Sequence, residues 1–134
     1  MSVAKAMRAR LIATDGVTAL VGQRIYPGKA PQDATIPYLV YQRISTTRFS
    51  TFSGASLIPE SRMQIDIIAS SQANAESIAS AVRTSLDGYT GTSAGVVVLS
   101  STVEDEADGN ETIDGSDSLY YRVVLDCLIQ TREN

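Results

Sequence analysis

The side chains able to do chemistry in this sequence are few: a dense acidic run, two aspartates in strand-like segments, and one cysteine. From Glu104 to Asp117 the chain places Glu104, Asp105, Glu106, Asp108, Glu111, Asp114 and Asp117 with no base among them. Clustered carboxylates suit a hard cation. In a calcium-loop register Glu104, Glu106, Asp108 and Gly109 take positions one, three, five and six. The register then breaks. Position one is Glu where such loops use Asp, position twelve is Gly115 rather than a bidentate acid, and the flanks read as strands. A solvated hairpin loop, held open by its own repulsion, accounts for the run better.

Asp66 and Asp126 could form a carboxylate pair for acid–base work. Each, however, follows an arginine by four residues on the same side of its strand, Arg62 and Arg122, and this spacing favours cross-strand ion pairs. No histidine is present to activate a hydroxyl, and no serine sits in a G-x-S-x-G turn. One cysteine without histidine excludes ordinary structural zinc sites, and Cys127, on an alternating apolar face, reads as a buried inert thiol. The expectation is a protein without catalytic machinery, metal or cofactor.

The totals agree with a binding or assembly role. A chain of 134 residues, 43% hydrophobic and 19% charged, fits one domain over 1–134. Its longest apolar runs, such as Val96 to Leu99, are too short to span a bilayer. Arg8 and Arg10 interrupt any signal-peptide core, which with the lone cysteine suggests synthesis in a reducing cytoplasm. Lys5, Arg8 and Arg10 make the one basic cluster, Trp is absent, and a pI near 4.7 argues against tight nucleic-acid binding. Residues 1–67 hold eight bases against four acids, and residues 68–134 three against eleven. Opposite poles suit head-to-tail contacts between identical copies, unless the two halves intermix on folding.

The elements that must position these groups follow from periodicity. Val3, Met7 and Leu11 mark a helix over residues 3–14, ended by Asp15-Gly16, with a short second turn or helix from Val17 to Val21. Pro27, Pro31 and Pro37 leave the Arg24–Pro37 connector extended and turn-rich. Tyr38–Ser45 and Arg62–Ala69 alternate as partner strands. Between them lies a long loop over 46–61 that carries Arg48, Phe49 and Phe52. Those phenylalanines either tuck onto their own hairpin or wait for a partner. Ser70 or Ser71 can cap a helix with the stripe Ala75, Ile78, Val82 and Leu86, stopped by Gly88. Residues 89–95 read as a loop, and Val96–Val103 and Leu119–Gln130 as the last two strands. The sum is an α+β two-layer sandwich: an antiparallel sheet of about four strands with two main helices on one face.

One stretch is more specific than its composition. Arg24-Ile25-Tyr26-Pro27-Gly28, Ala30-Pro31-Gln32-Asp33, Pro37-Tyr38 and Val40-Tyr41-Gln42 resemble the "RIYPG…APQD…PY-VYQ" segment of the tail-completion, or tail-terminator, family of long-tailed phages, prophages and gene-transfer particles. Arg62, Gln64, Ile65 and Asp66 resemble its "R-x-Q-I-D" strand, and Leu86-Asp87-Gly88 its helix end. The resemblance implies a subunit of a ring, usually sixfold, that caps the tail tube and joins it to head-completion proteins. Such a ring would let DNA through without specific binding and would reside in the virion after synthesis in the host bacterial cytoplasm.

Under that reading Arg24, Tyr26, Pro27, Pro31, Asp33 and Pro37 are candidates for the subunit interface. Arg48, Phe49 and Phe52 are candidates for tail-tube contact, and the seven acids for the lumen or head-side rim. Two other readings stay open: a head-side neck (connector) protein of the same particle, and a small calcium- or ligand-binding module.

Overall fold

The computed structural model describes residues 2–48, 50–51, 54–55, 58–112 and 119–132. Phe49, Phe52, Asp114 and Asp117 lie outside them, and of Glu111 only the backbone is described. Helix α1 (Val3–Ile12) is capped by Ser2, whose hydroxyl accepts from the Lys5 N–H at 3.2 Å. Asp15 does not end this helix; it opens the next one. Thr14 is the N-cap of α2 (Asp15–Val21), and an acid in a first turn complements the helix dipole. Helix α3 (Gln72–Leu86) begins where Ser71 accepts from the Asn74 N–H at 3.2 Å. It ends where Gly88, at φ +81°, turns back and donates to the Ser101 carbonyl at 2.7 Å.

The strands are β1 (Ile25–Pro27), β2 (Tyr38–Thr47), β3 (Ser50–Thr51), β4 (Gly54–Ala55), β5 (Glu60–Ala69), β6 (Gly91–Ser93), β7 (Val96–Thr112) and β8 (Leu119–Arg132). The four-stranded antiparallel sandwich with two main helices expected from the sequence does not form. The main sheet has six strands in the order β1-β2-β5-β8-β7-β6; it is mixed, because β1 runs parallel to β2, and it curls into a half-barrel against three helices. β3 and β4 form a separate two-stranded ribbon inside the loop expected over 46–61.

Three misread segments account for the difference. β1 hides in the proline-rich connector, where an edge strand tolerates Pro27. β6 hides among Gly, Thr and Ser, and pairs with Val96–Val98. The run Glu104–Thr112 remains strand rather than loop, because its backbone pairs with residues 119–126 of β8. An exposed ladder needs no apolar alternation.

The core sits between the helices and one sheet face. Ala75, Ile78, Val82 and Leu86 of α3 meet Met63, Ile65, Ile67, Val123, Leu125 and Cys127, all 2% exposed or less. Leu39 and Tyr41 of β2 join them, with Met7, Leu11, Val17 and Val21 from the first two helices. Among the described residues no helix covers the other face, which carries Tyr38, Val40, Ile68 and Arg122.

Candidate functional site

The connector is built onto the sheet from Arg24. Its carbonyl accepts from the Leu39 N–H at 2.9 Å, and its Nε donates to the Pro37 carbonyl, also at 2.9 Å. One residue thus ties both ends of the connector together. The Tyr26 and Tyr38 rings meet edge to face at 6.0 Å. Burial, with Tyr26 adding to it, pushes the Tyr38 phenol above its ordinary pKa. Gly28, at φ +73°, then donates to the Tyr41 carbonyl at 2.8 Å, and residues 28–36 arch over the open sheet face. The space beneath is a groove of about 580 Å³. Its floor includes Val40, Ile68, Tyr120 and the Arg122–Asp66 ion pair, and its rim includes Lys29 and Pro31.

Of the residues expected at a subunit interface, Arg24, Tyr26, Pro27 and Pro37 are therefore drawn together where β1 meets β2. Pro31 stands on the groove rim, and Asp33, also exposed, does not line the groove. Ile68 and Tyr120, which the sequence reading passed over, complete the floor. Their strand alternation, out of phase with the buried residues, was the available signal.

The acids are split by the pleat of β7. Glu104 occupies a bulge and accepts from Arg62 at 3.4 Å; Asp105 lies on the open face opposite Asp126. Glu106 and Asp108 point to the helix side, where Arg83 of α3 reaches Glu106. The Asp105 carboxylate accepts from the Glu106 N–H at 2.9 Å. The expected cross-strand ion pair forms between Arg122 and Asp66, 2.8 Å apart, whereas Arg62 reaches past β8 to Glu104. Among the described residues no three Cys, Asp or Glu side chains gather as a metal site.

Two of the three N-terminal bases, Arg8 and Arg10, are engaged in structural contacts. Arg8 Nε donates to the Ile25 carbonyl at 3.1 Å. Arg10 Nε donates to the Ser85 carbonyl at 3.0 Å, and its guanidinium stacks 4.3 Å from the centre of the Tyr89 ring. Cys127 is fully buried. Burial first, then the nearby Asp126 and Asp87 charges, push its thiol up to about 12. No thiolate nucleophile exists there at neutral pH. Arg48 lies exposed just past β2, at the base of the segment expected to touch a tail tube.

Among solved structures, a chain from the virion of the native gene transfer agent (GTA) particle superposes with a TM-score of 0.76 at 19% identity, covering 98% of this chain and 95% of that one. A second solved chain aligns with a TM-score of 0.53 at 13% identity over 92% of this chain and 89% of its own. At these identities the likeness is one of fold. No curated protein matches the sequence. The profile of the family described as "Tail completion protein gp17" matches residues 5–132, a span that takes in most of α1, all of α2 and α3, the connector and every described strand of the main sheet. The chain belongs to that family of structural, phage-tail completion proteins.

Proposed function

We propose that this protein is the subunit of a ring, sixfold in its working form, that closes the end of a phage-like tail tube and presents a surface to head-completion proteins. The family match over nearly the whole chain carries this reading. The fold shared with a chain of a gene transfer agent virion supports it, since that particle is a multi-protein assembly.

In this reading the Arg24–Pro37 connector, with Arg24, Tyr26, Pro27, Pro31, Asp33 and Pro37, lies against the neighbouring subunit. Arg48, Phe49 and Phe52 grip the tail tube. Glu104, Asp105, Glu106, Asp108, Glu111, Asp114 and Asp117 stand at the lumen or the head-side rim, where negative charge repels phosphate so that DNA passes without being held. The protein is made in the host cytoplasm and ends in the neck of the virion.

The test is co-purification with the tail-tube protein, together with negative-stain imaging of the complex. Rings seated on tube ends are the expected result. Rings that bind only head-side proteins would move the protein to another neck station, and a chain that stays monomeric with both partners would overturn the ring.

A further inference from the structure

The six-stranded sheet ends in two edges that differ in charge and are each left partly uncovered. On one side β1 pairs only with Leu39–Tyr41 of β2; along the next six residues, Gln42–Thr47, β5 pairs with the inner edge but no described strand pairs with the outer one, and all but Thr46 are exposed. On the other side β6 covers Val96–Val98 of β7. The turn after α3 then guards the next stretch: Gly88 donates to the Ser101 carbonyl, and the Val103 N–H donates to Asp87 Oδ1 at 3.1 Å. From Asp105 onward no described element pairs with the outer edge of β7. An uncovered edge is a template for another strand.

The charges of the two edges are complementary. β1 and β2 contain no acid, carry Arg43, and are flanked by Arg24 and Lys29. β7 contains no base and carries Glu104, Asp105, Glu106 and Asp108, all exposed. Two β7 edges from different copies would set acids against acids, and two β2 edges would set arginine against arginine. The favourable contact joins unlike edges. Because they lie on opposite sides of one sheet, such a contact is head-to-tail, and head-to-tail contacts close into rings when the rotation allows.

We infer that the ring seam is a strand pairing, in which the Gln42–Thr47 edge of one copy extends its sheet onto the edge of β7 beyond Val103 in the next. This rests on the ring reading above and adds to it the surfaces that meet and the backbone groups that join them. The acids of β7 are then a docking code as well as a source of negative potential, because they exclude like edges and admit the basic one.

Disulfide trapping tests the seam. Gln42 lies on the open sheet face, as do Asp105, Ala107 and Gly109. Opposite residues on paired strands bring Cβ atoms to about 4.5–5.5 Å, close to bridging range. Chains carrying Gln42→Cys with Asp105→Cys, Ala107→Cys or Gly109→Cys would be assembled, mildly oxidised and run on a non-reducing gel. At least one pair is expected to give a reducible ladder of covalent multimers up to the ring size, while each single variant stays a monomer. Rings that form normally while every pair fails to ladder would overturn the seam and leave the ring standing. Dimers from a single variant would show a symmetric contact and also overturn it. A wild-type chain that never assembles would remove the ring itself.

Discussion

At the residue scale, β7 and β8 place two carboxylates, Asp105 and Asp126, directly opposite each other on the open face. Like charges in that position oppose pairing. Asp105→Asn keeps the oxygen that accepts from the Glu106 N–H while removing the repulsion. It should stabilise the isolated chain by about 0.2–1 kcal/mol, read as a higher urea midpoint at low salt; an unchanged or lower midpoint would show that the pair is already screened. Cys127 offers a second test with a defined sign. Its pKa rises from the ordinary 9.0 to about 12 on folding, so the unfolded chain loses this proton first. Its contribution to stability is full below pH 9 and is lost as pH climbs toward 12. The denaturation midpoint should fall across that window, and Cys127→Ala should remove part of the slope. An alkylating reagent at pH 8 should leave the folded thiol unmodified.

At the scale of elements, α3 is fastened by a stripe of four apolar residues ending in Leu86, which is 1% exposed. Leu86→Ala should cost about 2–5 kcal/mol, as large core truncations do, measured by chemical denaturation; a loss below about 1 kcal/mol would mean the site closes around the gap. This helix, its Ser71 cap and the buried faces of β5 and β8 were legible in the sequence because burial imposes a period that few other constraints imitate. The edge strands were not. β1 and β6 are three residues each, too short for any period to show, and the acidic half of β7 is held by backbone pairing and two ion pairs rather than by apolar burial. The Arg122–Asp66 pair was foreseeable from strand spacing. The route of Arg62 to Glu104 was not, since it depends on β7 lying next to β8. The connector's composition marked it as special, but only the fold shows it arching over the open face.

At the scale of the whole molecule, the unlike edges predict how the assembly responds to its medium. Raising ionic strength from ~0.1 M to ~1 M shortens the screening length from about 10 Å to about 3 Å. Rings held by exposed unlike charges should therefore form at higher protein concentration in high salt, as sedimentation or light scattering would show. Salt-indifferent rings would point instead to the apolar side chains of the connector groove, such as Val40 and Ile68, as the adhesive surface. The acids beyond β7 allow a separate test. Asp114→Lys with Asp117→Lys should leave the ring intact but make it retain duplex DNA on a gel. If the lysine ring ignores DNA, these positions face away from the channel.

The position of β8 has a consequence for how the protein is made. It is flanked by β5 on one side and β7 on the other, yet it follows both of them in the chain. While a nascent chain is still on the ribosome with β8 unsynthesised, β5 and β7 each lack the neighbour that completes them, and the apolar face under α3 lacks its middle rib. The sheet can close only after residue 119 and those beyond it have emerged. A chain interrupted before that point leaves β5 and β7 without the strand they share, so a truncated copy cannot form the six-stranded sheet.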